Sequence, residues 1–191
     1  MITEQTGNRA IRAYEEGKMI VKSLAFTILA AASFLSAQAP SQRRAERITR
    51  EVRHELVMLP YYDVFDNLSY RVDGAKVTLI GQVTRPTLKS DAENVVKKIE
   101  GVESVDNQIE VLPVSPNDDR IRLATYRAIY SKASLQRYQL GAVPPIHILV
   151  KNGNITLEGV VASEGDKNIA GIAAKGVHGA FGMTNNLRGE K

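Results

Sequence analysis

The chain has 191 residues, 43% of them hydrophobic, with a net charge of +4 and no cysteine. That apolar content supports packed cores and argues against wholesale disorder, while the missing cysteine excludes disulfides, thiolate metal sites and a lipid-modified cysteine. The length allows one domain or two small ones, and so mild a positive balance does not by itself point to nucleic acid.

Leu24 to Leu35 is an apolar run of twelve residues, preceded by Lys18 and Lys22 and followed by the small residues Ser36 to Ala39. This charged, apolar, small-residue order is that of a secretory signal, and the run is too short to span a bilayer comfortably. Residues 1–39 are therefore expected to be an export segment, with Met19 a candidate true start. Pro40 directly after the Ala37 and Ala39 pair is a poor cleavage partner, and retention of the segment as an anchor is the alternative.

Residues 40–45 read as a polar linker, followed by a helix over 46–58. Ile48, Val52, Leu56 and Leu59 share one face of it, the basic residues Arg43 to Arg53 lie opposite, and Pro60 stops it. The basic side is either a solvated face balanced by Glu46, Glu51 and Glu55 or a contact for an acidic surface. Tyr61 to Asn67 is the most aromatic stretch; at a helix-to-strand connection such residues cap a core, with a binding loop as the alternative. Alternation then gives strands over 68–72 and 76–83 around Asp73-Gly74. A helix over 86–99 carries Leu88, Ala92, Val95, Val96 and Ile99 on one stripe, Gly101 ends it, and a third strand covers 105–112.

After a boundary at 113–116, Asn117-Asp118-Asp119 signals a helix start, and the helix runs to about Tyr130. A longer connection leads to a hairpin around Asn152-Gly153, a helix over 166–177 and a last strand over 181–187. The second half repeats the first. At a constant shift of 78 residues, Val77 to Val83 maps onto Ile155 to Val161, Val72 onto Val150, Lys89 onto Lys167, Ala92 onto Ala170, Gly101 onto Gly179 and Asn107 onto Asn185. A repeat this long is a duplicated small domain. The fold class expected is α+β: two tandem α/β sandwich domains, 46–112 and 117–188. Each runs helix-strand-strand-helix-strand, with its helices on one face of a three-stranded sheet. Gly81 and Gly159 recur at the same strand position and are expected to be structural, marking a bulge or a close approach beneath the following helix.

The two crossover helices differ on their outer side. Gly165, Ile169, Ile172 and Gly176 fall on one outer stripe, where the first copy has Thr87, Asp91, Asn94 and Lys98. Lys167 and Lys175 lie on the same helix. The residues expected to contact a membrane or a partner are therefore Lys167, Ile169, Ile172 and Lys175, with Lys151 nearby. The competing reading packs this strip on the other domain or on a second chain.

No catalytic, metal or cofactor constellation is present. His54, His147 and His178 sit in three different elements without ligand spacing, no serine lies in a Gly-x-Ser-x-Gly turn, and there is no glycine-rich phosphate loop. His147 alternates within a strand and reads as a strand residue rather than a base. No aromatic platform is interleaved with a basic run, so nucleic acid is not an expected partner.

The pattern Val72-x-Gly74-x-x-Val77-x-Leu79-x-Gly81-x-Val83, then Ala92, then Gly101-Val102-x-x-Val105-x-Asn107, resembles the BON domain. The second copy, Val150 to Val161, Ala170 and Gly179 to Asn185, departs mildly at Ala180 and Met183. Two copies behind an export segment look like the osmotically induced periplasmic and outer-membrane-associated members of that family. The resemblance implies an open α/β sandwich per copy, no catalysis and no cofactor. It also implies an extracytoplasmic location and association with anionic phospholipid membrane surfaces, in envelope integrity or stress protection. In some relatives the second copy's crossover helix contacts lipid. Others are accessory domains on channels and secretins, so another envelope protein, met through an interaction or chaperone-like surface, stays open as the partner.

Overall fold

The computed structural model describes residues 41–141 and 143–190; the export segment expected over 1–39 lies outside them. The first helix, α1, covers 41–57. The expected linker is therefore helical from residue 41 on. Its Gln, Arg, Ala and Glu are good helix formers, so their polarity marks a solvated turn rather than a break.

The first copy continues with β1 (Asn67–Asp73), β2 (Lys76–Val83), α2 (Pro86–Lys97) and β3 (Ser104–Val111). Strand β2 is central, antiparallel to β1 and parallel to β3. Val77, Leu79 and Val83 alternate onto one face of the sheet and bury against Ile48, Val52 and Leu56 of α1 and Leu88, Ala92 and Val96 of α2. The second copy has α3 (Pro116–Tyr130), a 3₁₀ helix (Ala133–Gln139), β4 (Ile146–Lys151), β5 (Asn154–Val161), α4 (Glu164–Lys175), β6 (Gly182–Asn185) and a short β7 (Arg188–Gly189). It repeats the topology around β5, with β6 and β7 both parallel to it. The expected last strand is thus split: Leu187 turns into the core, and its N–H is held by the Asn185 side chain at 3.2 Å.

Helix starts follow the serines. The Ser115 hydroxyl accepts from the Asp118 N–H at 3.2 Å, so α3 begins at Pro116 and the boundary segment is one residue shorter than expected. Asp118 does not cap; it is buried and accepts from the Asn152 and Gly153 N–H groups at 2.9 and 2.8 Å, clamping the second hairpin turn. Both residues of that turn have positive φ (52° and 74°), as a type I′ turn requires. Ser163 caps α4 in the same way as Ser115, moving its start forward to Glu164.

The repeated glycines serve the first strand of each hairpin, not the following helix. A Cβ on Gly81 would lie 2.0 Å from the Asn67 carbonyl oxygen, and one on Gly159 1.9 Å from that of Pro145. Their φ values of +134° and +123° are open to glycine alone.

Residues 61–66 bind the two copies together. Val64 is buried, but in the second core, beside Ile148 and Val150. Its carbonyl accepts from the Ile148 N–H at 2.8 Å. Phe65 packs on Tyr126 of α3 with ring centroids 6.2 Å apart, and Tyr62 stacks on His147 at 5.9 Å and 17°. The aromatic stretch does cap a core, but for Val64 and Phe65 it is the next copy's core. Asp66 then closes the segment: buried, it accepts from the Thr84 N–H at 2.6 Å and hydroxyl at 2.9 Å. Burial pushes its carboxyl pKa up, against the opposing pull of those bonds.

Val64→Ala, although made in the first copy's connection, is expected to destabilise the second copy. Removing two buried methyl groups costs about 1.5 kcal/mol. Urea unfolding read by amide exchange checks this: protection should fall on β4 and α3, and equal loss on β1 to β3 would contradict it.

Candidate functional site

The expected contact residues do not form one continuous strip. Helix α4 packs beside α3 as well as on the sheet, and this widens its buried side enough to take in Ile169, which is half-buried against the second core. Lys167 is mostly covered, and its ammonium pairs with Glu164 at 3.5 Å. Lys151 reaches across to Glu110 of β3 and ties the copies together. That ion pair, with a bond from Gln82, holds the Glu110 carboxyl below its ordinary range. Gly165 and Gly176 lie exposed at the two ends of α4.

What remains open is Ile172, 74% exposed, and Lys175 one turn further on. Lys175 makes no ion pair among the described residues. A third residue joins them. Phe181 is 82% exposed and lines a shallow depression of about 370 Å³ together with Lys175, Ala174 and Met183. Its N–H donates to the Gly153 carbonyl at 2.9 Å, and its ring lies over Gly153, where a Cβ would come within 2.6 Å of it. Sequence reasoning placed Phe181 in the last strand; the strand starts one residue later, and the glycines on either side, Gly179 and Gly182, were the signal of a turn.

The duplication supplies an internal reference for this surface. In the first copy the counterpart of Lys175 is Lys97, bound by Glu93 one turn earlier. Glu93 also accepts from Asn107 at 2.9 Å. In the second copy the position of Glu93 is Gly171, and the equivalent asparagine, Asn185, drops onto it, so that a Cβ there would lie 2.6 Å from the Asn185 amide nitrogen. Lys175 is thereby left without its carboxylate. The counterparts of Ile172 and Phe181 are Asn94 and Glu103. Two acidic side chains have gone and two large apolar ones have appeared around one unpaired lysine.

Among the described residues no group of His, Asp or Glu side chains is placed to hold a metal ion, and no helix is long and apolar enough to cross a membrane. Buried polar groups serve the fold. Asp166 accepts from Ser163, Tyr138 and Arg137; burial raises its carboxyl pKa, but these bonds outweigh it and leave the carboxyl below its ordinary range.

The BON-domain family model matches residues 43–113 and 131–190. The chain belongs to the BON-domain family. As a BON protein it carries two copies, the second match beginning after α3. Among solved structures it is similar to CdsD, a structural protein of the type III secretion system of Chlamydia trachomatis, at 11% identity and a TM-score of 0.30, over 75% of this chain and 92% of that one. It is also similar to the C-terminal domain of CdsD, at 12% identity and a TM-score of 0.26, over 74% of this chain and 96% of that one. No curated protein matches the sequence.

His147 is no base. It is 9% exposed, its Nδ1 has no partner, and burial lowers its pKa below 6.5, against opposing contributions from the Asp66 backbone and the charges of Glu158 and Asp63. A histidine kept neutral by the fold supplies stability that is present above the unfolded pKa and lost as pH falls below about 6.5. His147→Phe keeps the stack on Tyr62 and removes the proton. Melting at pH 7.5 and 5 should therefore show a smaller drop for the variant than for the parent, and parallel drops would rule the assignment out.

Proposed function

We propose that this BON protein is a non-enzymatic component of the cell envelope. In this reading it lies outside the cytoplasm and attaches peripherally to anionic phospholipid through the end of α4 and the turn before β6. One observation carries the reading: relative to the first copy, the second has exchanged Asn94, Glu93 and Glu103 for Ile172, Gly171 and Phe181 around Lys175. Exposed apolar side chains beside an unpaired cation suit the boundary between headgroups and acyl chains, where apolar burial and attraction to anionic lipid add. The first copy, with its lysine neutralised and its outer side polar, has no such surface at this position. Docking of another envelope protein on the same patch is the second reading, favoured by the apolar Phe181 and Ile172 rather than by the lysine.

Sedimentation of residues 40–191 with vesicles of neutral lipid, and of neutral plus anionic lipid, tests this. Binding is expected only with anionic lipid and is expected to weaken as salt rises. Ile172→Asp with Phe181→Asp should reduce it by more than about tenfold, since each apolar insertion removed is worth about 1.5 kcal/mol or more. Both sites are exposed, so the melting temperature should hold. Ile169→Asp is the wrong probe, because it strikes the core. Absence of binding to either vesicle would remove the membrane reading. Salt-insensitive binding to an envelope protein, abolished by the same double variant, would replace it.

A further inference from the structure

The outer edges of the two sheets carry the same backbone groups but are finished differently. In a hairpin with a two-residue turn, the residues flanking the turn exchange hydrogen bonds and alternate residues point their N–H and C=O outward. With Asp73 opposite Lys76 and Lys151 opposite Asn154, the outward residues are Tyr70 and Val72 on β1, and Ile148 and Val150 on β4. On β4 two of the outward groups are met: the Ile148 N–H donates to the Val64 carbonyl at 2.8 Å, and the Val150 carbonyl accepts from Arg122 at 2.8 Å. On β1 the Tyr70 N–H and the Val72 carbonyl have no hydrogen-bond partner among the described residues. The Leu68 N–H is met only by the Tyr62 hydroxyl, at 3.3 Å.

Beside this open edge runs a groove of about 700 Å³ between α1, β1 and residues 143–147. Its walls are apolar and aromatic, with Leu56, Leu68, Tyr62 and Tyr70, and its one formal charge is Arg53. His147, whose buried Nδ1 is unpartnered, also lines it. The residues facing β1 across the groove include Pro144 and Pro145, which have no N–H to offer the edge.

We propose that the β1 edge and this groove bind an extended segment of another polypeptide as an added strand, with apolar side chains along the groove and an acidic one toward Arg53. The free main-chain groups call for a strand, because hydrocarbon would leave them buried and unpaired. In the second copy the equivalent edge is met within the chain, by one main-chain bond from the apolar and acidic segment Tyr62-Asp63-Val64-Phe65 and by the Arg122 guanidinium. The proposal does not rest on the membrane reading and concerns different residues.

The probe is a fluorescein-labelled peptide with the sequence of residues 59–67, titrated with the full chain and followed by anisotropy and by amide exchange. Saturable binding that protects the Tyr70 and Val72 amides is expected. Arg53→Glu and Val72→Pro, the latter tolerable on an edge strand, should each weaken it about tenfold or more, while Ile172→Asp leaves it unchanged. If Val72→Pro fails to fold, Arg53→Glu with the exchange pattern decides. No saturable binding, or binding that neither variant weakens, overturns the proposal. So does protection of the same amides by rising protein concentration alone, which would make the occupant a second copy, or by phospholipid vesicles alone, which would make it a lipid.

Discussion

The interaction on which this architecture turns is the seating of Val64 against Ile148. A buried strand edge cannot leave its N–H groups unpaired without a cost comparable to a forfeited hydrogen bond. In the second copy that requirement is met by a carbonyl from the first copy's connection. The bond fixes the segment, and the segment places Tyr62, Val64 and Phe65 in turn against His147, the second core and Tyr126. Lys151 and Glu110 add an ion pair across the same junction. The copies are therefore joined by a shared edge and a shared core residue rather than by a flexible tether.

Once one copy finishes the other's edge, the two are no longer equivalent. The second has a covered edge and an apolar, cationic end to its crossover helix. The first keeps a polar crossover helix, its Lys97 neutralised by Glu93, and an open edge beside a groove. A duplicated scaffold has thus separated two surfaces of different chemistry, one apolar and cationic and one an open strand edge beside an apolar groove. Both lie at positions where a group satisfied in one copy is unsatisfied in the other.

The order of elements in the first copy, most of the buried stripes of the helices and the hairpin turns were legible in the sequence, because they depend on local periodicity and turn chemistry; the 3₁₀ helix and the split last strand of the second copy were not. The repeat itself was legible because Val77 to Val83 and Ile155 to Val161 carry the same alternation around the same glycine. The reason for that glycine was not: it answers a carbonyl on the neighbouring strand, an approach that only strand pairing creates. Within the expected binding strip, Ile172 and Lys175 stay open, whereas Ile169, Lys167 and Lys151 are drawn to the core, Glu164 and Glu110.

By itself, then, the sequence determined that this chain folds as two like α/β units and that the second has the more apolar crossover helix, since both follow from residue type at a fixed spacing. The tertiary structure alone decided which copy buries Val64, that Phe181 joins Ile172, and that β1 has a bare edge. Each of these depends on which groups meet across long separations in the chain. Helical wheels and strand alternation describe one element at a time and do not register such meetings.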